Sequence, residues 1–529
     1  MVGGVWSRRG ERWVVAGLPA ALAVAYLLLP RMGSDLSAQV ARAGFFAEHG
    51  WTPVDLRWYG GVNQLGYSLV SQPVMATLGV RVTGALTLVL TSLAFATLLR
   101  RTGAARPLAG AVLGTLCIAG NLVSGRVTYA IGVLFGVLAL LLLTYPRLRW
   151  AAAVSSLLAS AASPVAGLFL GLAGVALIGS GRIRRGLVVA VPAAVPLTLM
   201  AGLFGDGGWM NIGRTDALRA VVTSLLVAAL VPLRPVRIAG LLSAGGVLAA
   251  ALVHTPVGLN ATRLVTMFAL PVLAAYAAVP ALRRPAAAAE DPPPAGHTDR
   301  RVPVWVLVPV LAAVCWWQPP VVVADVADLG NPTAEPEYFA PLRDRLAALP
   351  LAGRVEIPPT RAYWESAYLG EVPLARGWLR QADIDRNPLF FATVPGAAGT
   401  GVPLTAENYR AWLADHSVQY VAVPDAELSW VGRAEAQLVG RGQPYLRPIW
   451  SDRHWRLYAV ADPQPIVAPP ATLVAHTAAS LTFDAPAGGN VAIRVRYHRW
   501  LRTPGAVVAA SGTWTVVRVP AAGRYTLTS

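Results

Sequence analysis

Three carboxylates in one long polar loop are the side chains best suited to acid–base chemistry in this sequence. They are Asp35, Glu48 and Asp55, and they lie in the loop at 31–79, which follows the first apolar run. A carboxylate can take a proton from a hydroxyl group that lies within hydrogen-bond reach. We therefore predict a site in this loop, with Asp35, Asp55 and Glu48 as the candidates for a catalytic base.

Acidic residues are otherwise rare in the apolar part of the chain. Of 27 Asp and Glu residues, only five lie between Trp13 and Arg284, namely Asp35, Glu48, Asp55, Asp206 and Asp216. None of them falls in the middle of an apolar run, where an ion-coupled transporter usually carries an ionisable group. The distribution favours a site at one membrane face, although simple tolerance of acids in polar loops is an equal alternative for any one residue.

Two arginines and one histidine are candidates for binding a phosphate. Arg126 in NLVSGR and Arg263 in HTPVGLNATR both precede apolar runs, and His254 begins the second of these segments. A guanidinium group can bind two phosphate oxygens at once. The alternative for each arginine is an interfacial side chain that reaches toward lipid headgroups, and for His254 a solvated loop residue.

The loop at 31–79 is long and contains several aromatic and basic residues. A loop of this length with several aromatic residues is more often functional than disordered, and its spacing predicts one or two helices along the membrane surface. Its candidate substrate contacts are Arg57, Trp58, Tyr59 and Tyr67. Anchoring at the membrane interface is the alternative for Trp51, Trp58 and Tyr59.

The composition is that of a membrane protein. Of 529 residues, 55% are hydrophobic and only 13% are charged, and the mean hydropathy is +0.52. One soluble core cannot bury so much apolar surface, so lipid must solvate part of the chain.

The net charge of +17 comes from arginines scattered at the ends of apolar runs, which argues against a nucleic-acid partner. Cys117 and Cys315 both fall within apolar runs, which excludes a disulfide framework and a thiolate metal site.

Apolar stretches of membrane-spanning length recur from Trp13 to Pro320, since about 20 residues cross a hydrocarbon core of roughly 30 Å. They lie at 13–30, 80–99, 107–123, 127–144, 150–163, 164–180, 186–203, 217–233, 236–253, 264–282 and 302–320. The fifth and sixth predict a hairpin bent at Ser163-Pro164, because proline removes a helix hydrogen bond. The predicted fold class is a polytopic α-helical membrane protein with about 11 transmembrane helices.

Arginine placement predicts the orientation, because positively charged loops stay in the cytoplasm. If the N-terminus is cytoplasmic, every inside loop carries at least two arginines, as at Arg100, Arg101 and Arg106. An odd number of spans then places the C-terminus outside. We predict a multi-pass protein of the cell membrane with a cytoplasmic N-terminus and an extracytoplasmic C-terminal domain.

The rest of the chain divides by composition. Residues 1–284 form a predicted ten-helix body with its long first outer loop, 285–301 a Pro/Ala-rich cytoplasmic linker, and 302–320 the last transmembrane helix. Strand-like runs at 418–424 and 454–461, and a helix at 404–416 with its start signal at Thr405, predict an α/β domain at 321–462. Strict alternation afterwards predicts a β-sandwich at 463–529.

These features resemble the GT-C superfamily, the membrane glycosyltransferases that use polyprenyl-phosphate sugar donors, and in particular its bacterial, actinobacterial-type members. The resemblance rests on the long outer loop with an early acid, on the WYGG and GYS-x3-QP elements at 58–61 and 66–73, and on the outer C-terminal region. In that superfamily an acidic residue near the end of the first helix lies at the catalytic centre, and Asp35 matches it. The loop lacks a paired Asp-x-Asp, so a divalent metal is left open and no metal ligands are predicted.

The resemblance implies transfer of a sugar from a polyprenyl-phosphate donor to a cell-envelope glycan or lipid acceptor on the outer face, with membrane lipid as a further partner. Two other functions stay open. A transporter or a lipid or glycan exporter would need a continuous cavity between helix repeats. A non-catalytic envelope-assembly protein would use its outer domain to bind a partner. The motifs GxxxxGKS/T, GxGxxG after a strand, HExxH and GxSxG are absent, which argues against soluble nucleotide chemistry.

Overall fold

The structure is a computed structural model that describes residues 9–279 and 300–529. The linker predicted at 285–301 falls outside the described residues except for its last two positions, which form a short strand.

Helices dominate the first part of the chain, and both helices and strands make up the last part. The α-helices are α1 Arg9–Leu28, α2 Leu36–His49, α3 Ser71–Leu78, α4 Val80–Arg101, α5 Pro107–Val123, α6 Val127–Leu142, α7 Arg149–Ala162, α8 Pro164–Gly179, α9 Ile183–Phe204, α10 Arg214–Leu230, α11 Arg234–Leu252, α12 Arg263–Tyr276, α13 Val304–Trp317, α14 Val323–Val326, α15 Ala340–Ala347, α16 Glu365–Tyr368, α17 Arg380–Arg386, α18 Ala406–Asp415 and α19 Trp430–Gly440. The strands are β1 Val54–Asp55, β2 Val62–Asn63, β3 Ala278–Val279, β4 Arg300–Arg301, β5 Arg354–Glu356, β6 Val418–Pro424, β7 Leu446–Ser451, β8 Trp455–Val460, β9 Thr472–His476, β10 Ser480–Ala485, β11 Gly489–Arg496, β12 Val507–Ser511, β13 Trp514–Val519 and β14 Gly523–Thr528.

Each predicted apolar span is occupied by one helix. Helix α1 occupies the first span, and α4–α13 occupy the other ten in order. Among the described residues, five helical segments are long and apolar enough to cross a membrane, namely Gly10–Leu28, Val80–Arg101, Ile183–Phe204, Arg234–Leu252 and Gly258–Tyr276. Four further apolar helices are shorter: α5, α6, α8 and α13. The predicted bend between the fifth and sixth spans is confirmed, because Ser163 is extended between α7 and α8. These apolar helices indicate an integral membrane protein.

The chain forms two compact units. The helical unit comprises Met1–Leu29, Arg81–Thr198 and Asn211–Val323, and the mixed unit comprises Pro30–Val80, Leu199–Met210 and Ala324–Ser529. Small residues let helices approach closely in the helical unit. A Cβ atom on Gly186 in α9 would lie 2.5 Å from the carbonyl oxygen of Gly174 in α8, so only glycine fits at this crossing.

A four-stranded sheet with the order β5-β6-β8-β7 forms the α/β part of the mixed unit. Strand β5 pairs parallel to β6, whereas β8 pairs antiparallel to both β6 and β7. The strands predicted at 418–424 and 454–461 are confirmed as β6 and β8, and the predicted helix at 404–416 as α18. Thr405 starts α18 as predicted, because its hydroxyl oxygen accepts a hydrogen bond of 3.1 Å from the backbone N–H of Asn408.

Two three-stranded antiparallel sheets follow, with the strand orders β14-β10-β9 and β11-β13-β12. Their apolar residues share one core, which includes Leu481, Phe483, Ile493, Val517 and Leu527. This arrangement agrees with the alternating pattern in the last part of the sequence.

The long first loop belongs to the core of the mixed unit. Val54 and Leu56 lie in the core of the two three-stranded sheets, and Trp58 and Tyr59 lie in the core next to the four-stranded sheet, where they are 0% and 1% exposed. Interface anchoring is therefore wrong for Trp58 and Tyr59, because they pack against protein. Trp51 is 56% exposed.

Backbone hydrogen bonds join this loop to segments of the same unit that are distant in sequence. The N–H of Leu56 donates to the carbonyl oxygen of Ala478 at 2.7 Å, and the N–H of Leu374 donates to that of Arg57 at 2.6 Å. Gly60, with a φ of 75°, has no room for a side chain, because a Cβ atom there would lie 3.1 Å from a guanidinium nitrogen of Arg354. The glycines of WYGG thus permit the loop to pass through the core.

The composition of the mixed unit constrains the membrane topology. A compact polar unit cannot lie on both faces of a membrane, so its three segments must share one face. An even number of crossings must then separate them. Among the described residues, the membrane-length segments Val80–Arg101 and Ile183–Phe204 lie between the first and second of these parts, and Arg234–Leu252 and Gly258–Tyr276 lie between the second and third. Two such segments in each interval agree with this condition.

The burial of Trp58 predicts a large stability difference between two tryptophans of the same loop. We expect Trp58→Ala to lower the free energy of unfolding of the mixed unit by about 3–5 kcal/mol, because it leaves a cavity in the core. The matched control Trp51→Ala should change it by no more than about 0.5 kcal/mol, because Trp51 is exposed. Thermal unfolding of the full chain in detergent measures both. Equal effects of the two changes would contradict the burial of Trp58.

Candidate functional site

The beginning of α2 is fixed on both sides by hydrogen bonds. The N–H of Ser34 donates to a carboxylate oxygen of Asp325 at 3.1 Å, and the indole N–H of Trp378 donates to the carbonyl oxygen of Ser34 at 2.9 Å. Gly33, with a φ of 103°, makes the turn before them. Asp35 follows at the N-cap position, half-buried, and its side chain accepts no capping hydrogen bond. Two hydrogen bonds therefore hold the backbone directly before Asp35.

A cleft of about 280 Å³ lies beside this turn and is lined by Ser34, Ala324, Asp325, Asp328, Arg361, Ala362, Glu427, Leu428, Ser429, Trp430 and Arg433. Arg361 pairs with Glu427 at 2.6 Å and approaches Asp328 to 3.5 Å. Burial raises the pKa of Asp328, although hydrogen bonding from Asn331 and the charge of Arg361 oppose the shift. Carboxylates, guanidinium groups, hydroxyls and an indole ring together can hydrogen bond to and stack on a hydroxyl-rich ligand.

Asp55, the second candidate for the base, is held in a buried ion pair. Its carboxylate lies 2.8 Å from a terminal nitrogen of Arg57, accepts a further bond of 3.0 Å from the Arg57 Nε atom, and accepts one of 2.7 Å from the side-chain amide of Gln64. Asp55 is 0% exposed. Both of its oxygens are thus engaged by protein groups, which fits a structural role in orienting Arg57.

Glu48, the other candidate, lies at the far end of α2. Thirteen residues separate it from Asp35, which corresponds to about 20 Å along a helix axis. Its side chain is 66% exposed and lies near His49 and Glu371. The structure therefore does not bring the three predicted acids of the loop together.

The four predicted substrate contacts divide into buried and accessible residues. Arg57, Trp58 and Tyr59 are buried, so a ligand has no access to them in this conformation. Tyr67 is only half-buried, and its ring meets that of Trp378 edge-on at 6.2 Å. Its hydroxyl accepts a hydrogen bond of 3.2 Å from Gln39, one turn into α2. Tyr67 is the predicted contact that lies near the beginning of this helix.

A buried charge network holds the segment that carries Trp378. Arg376 binds Asp383 at 2.9 Å and Glu435 at 3.0 Å, and the hydroxyl of Tyr409 donates to Glu435 at 2.9 Å. Burial, together with the nearby Glu435, raises the pKa of Glu356 well above its ordinary value. Removing one member of such a network leaves the others without a partner, so it specifies the position of the neighbouring chain.

In the helical unit, one of the predicted phosphate-binding residues lies close to a tyrosine. Arg126 directly precedes α6, Arg263 begins α12, and the Arg263 guanidinium lies 5.3 Å from the ring centroid of Tyr129. Sequence reasoning missed Tyr129, although it follows Arg126 by three residues and such residues share one helix face. His254 is exposed and follows α11.

The sequence analysis also missed Asp325 and Trp378, whose carboxylate and indole groups form hydrogen bonds with the backbone of Ser34. Asp325 and Trp378 lie about 300 positions later in the chain, and no local pattern joins them to the loop at 31–79.

A buried carboxyl near α2 predicts a pH dependence of stability. The segment before α16 contacts α2, because the hydroxyl of Ser37 donates to the carbonyl oxygen of Ala362 at 2.6 Å. Burial raises the pKa of Glu365, which begins α16, from 4.5 to about 7, against a hydrogen bond of 2.6 Å from Thr360. The folded protein therefore favours the protonated form, and that stabilisation is lost as the pH rises through about 7.

We expect Glu365→Gln to raise the melting temperature of the mixed unit at pH 8, because the amide cannot ionise. The gain should correspond to about 1–3 kcal/mol and should disappear near pH 5. Thermal unfolding at a series of pH values measures it, with the exposed Glu407→Gln as the control. A gain that does not depend on pH would contradict the shifted pKa.

No protein-family model matches the sequence, and no curated protein matches it. Solved structures similar to the chain include a single-particle cryo-EM structure of the arabinofuranosyltransferase AftD from Mycobacteria, with 16% identity and a TM-score of 0.43 over 92% of this chain and 41% of that chain. They also include a mutant form of AftD, with 16% identity and a TM-score of 0.43 over 87% of this chain and 42% of that chain. The chain thus spans less than half the length of either AftD structure.

Proposed function

We propose that the protein is a membrane glycosyltransferase that transfers a sugar from a polyprenyl-phosphate donor to a glycan or lipid acceptor of the cell envelope, on the outer face of the membrane. The observation that carries this proposal is the placement of Asp35. Its backbone neighbours are fixed by Asp325 and Trp378, and a polar cleft of about 280 Å³ opens beside Ser34. Asp35 directly follows Ser34, which lines this cleft, and a carboxylate that reaches the cleft can act on a ligand with many hydroxyl groups.

Asp35 acts as the base in the proposed reaction. An acceptor hydroxyl oxygen forms the bond to the anomeric carbon of the donor sugar, and the bond from that carbon to the lipid phosphate breaks. The proton of the hydroxyl passes to the Asp35 carboxylate, and the lipid phosphate departs as an anion. A positioned carboxylate contributes about 10²–10⁴-fold to the rate of such a step.

The cleft supplies groups for the acceptor. Its guanidinium groups at Arg361 and Arg433 and its hydroxyl at Ser429 can donate hydrogen bonds to sugar oxygens, and the Trp430 indole offers an apolar face. The carboxylate of Glu427 can accept from sugar hydroxyls. A cleft that carries both donors and acceptors is more suited to a glycan than to an acyl chain.

Arg126 and Arg263 of the helical unit are the arginines that the sequence suggests for binding a donor phosphate. Arg126 directly precedes α6, and Arg263 begins α12. A guanidinium group can bind two phosphate oxygens and so neutralise a phosphate that gains charge as it leaves. The apolar helices around them suit the polyprenyl chain of a lipid-linked donor.

Asp35→Asn tests the proposal directly. We expect transfer of a labelled sugar from a polyprenyl-phosphate donor to the acceptor fraction of isolated membranes to fall by about 10²–10⁴-fold, because an amide cannot take the proton. The level and the melting temperature of the variant protein are measured alongside, so that a loss of transfer by a folded protein can be assigned to the carboxylate.

The matched control is Asp344→Asn, which removes a carboxylate of the same unit whose side chain is 76% exposed. This variant should transfer sugar at the parent rate. Full activity of a folded Asp35→Asn protein would contradict the proposed base and would favour a non-catalytic role in envelope assembly.

A further inference from the structure

The C-terminal end of α2 carries a second group of side chains, separate from the beginning of the helix. Glu48 and His49 form the last turn of α2, and Glu371 lies in the turn that follows α16. The Nε2 atom of His49 is 3.8 Å from a carboxylate oxygen of Glu48 and 3.7 Å from one of Glu371. One oxygen or nitrogen from each of the three side chains lies within 4.8 Å of the other two.

The imidazole nitrogen at the centre of this group has no hydrogen-bond partner. The Nε2 atom of His49 is buried away from solvent, and its ring is held in place by Phe45, whose centroid lies 5.0 Å away. A buried imidazole nitrogen without a partner costs free energy. Here it faces two carboxylates, which cannot donate a hydrogen bond when they are ionised.

We propose that Glu48, His49 and Glu371 bind a divalent transition-metal ion of the zinc class. Zinc bonds to imidazole nitrogen and carboxylate oxygen are about 2.0–2.2 Å long, which places tetrahedral ligand atoms about 3.3–3.6 Å apart. The separations of 3.7 and 3.8 Å from the His49 nitrogen exceed this range by only a few tenths of an ångström. The two glutamate oxygens lie within 4.8 Å of each other, so the exposed Glu48 side chain would move toward Glu371 to bind the same ion. Three protein ligands leave a fourth position for water or another ligand.

The local charges favour a cation. The two glutamates carry two negative charges, and the C-terminal end of α2 adds the partial negative charge of a helix end. Arg57 is the neighbouring cation that acts on both glutamates, but Asp55 neutralises it in a close ion pair.

A metal at this position would fasten three parts of the mixed unit. Glu371 already accepts a hydrogen bond from the N–H of Ala478 through its other carboxylate oxygen. The proposed ion would bind its remaining oxygen and both residues at the end of α2. It would join the first loop to the turn after α16 and, through Glu371, to the segment before β10.

The test uses the purified full chain in detergent after removal of metal by a chelator. We expect one equivalent of Zn²⁺ to bind in calorimetry and to raise the melting temperature. Co²⁺ should bind to the same protein with the visible absorption of a tetrahedral site, and Zn²⁺ should abolish that absorption. Because the Co²⁺ measurement needs only the parent protein, it stays decisive even where a variant fails to fold.

The variants His49→Gln and Glu371→Gln should each weaken binding by more than about 10-fold, as expected for the loss of a ligand. Their melting temperatures should no longer respond to Zn²⁺. The controls His454→Gln and Glu407→Gln remove the same side-chain types elsewhere in the unit and should bind as the parent does. Lack of a tetrahedral Co²⁺ spectrum in the parent, or equal binding by parent and His49→Gln, would overturn the proposal. The outcome does not depend on whether Asp35 is a base.

Discussion

The burial of one short segment of the first loop determines how the rest of the mixed unit is arranged. Trp58 and Tyr59 fill the core beside the four-stranded sheet, and the neighbouring Leu56 fills the core of the two three-stranded sheets. These side chains lose their contact with water because strands about 300–470 residues later pack on them. The same packing fixes the beginning of α2 and hence Asp35. It also requires the first loop and the C-terminal region to share one face of the membrane.

Much of the helical architecture could be predicted from the sequence, because a helix that meets lipid must be apolar along its whole length. Each apolar run became a helix, and even the break before Pro164 was visible, since proline cannot continue the hydrogen bonds of α7. Local signals also located α18, because the Thr405 cap lies within three residues of its partner. These successes share one property: the sequence signal and the structure it produces lie within a few residues of each other.

The site was harder to predict because its contacts are distant in sequence. A tryptophan near glycines has the same pattern whether it meets lipid headgroups or a protein core, so the environment of Trp58 could not be predicted without its partners.

The sequence did carry signals for two features that were not predicted, namely the ion pair of Asp55 and the distance between Asp35 and Glu48. Asp55 and Arg57 lie two positions apart, and alternate residues of an extended segment share a face, which favours an ion pair. The offset of 13 positions from Asp35 to Glu48 places the two residues about 20 Å apart along the axis once α2 is predicted as a helix.

Placement of the mixed unit on the outer face of the membrane is the central claim, and cysteine labelling tests it most directly. In a background with Cys117→Ala and Cys315→Ala, single cysteines would replace Trp51 in the first loop, Val507 in β12, or Ile183 at the start of α9, all of which are exposed. We expect a membrane-impermeant maleimide to label Trp51→Cys and Val507→Cys in intact cells, and Ile183→Cys only after permeabilisation. Protection of both Trp51→Cys and Val507→Cys in intact cells, or labelling of only one of them, would contradict the account.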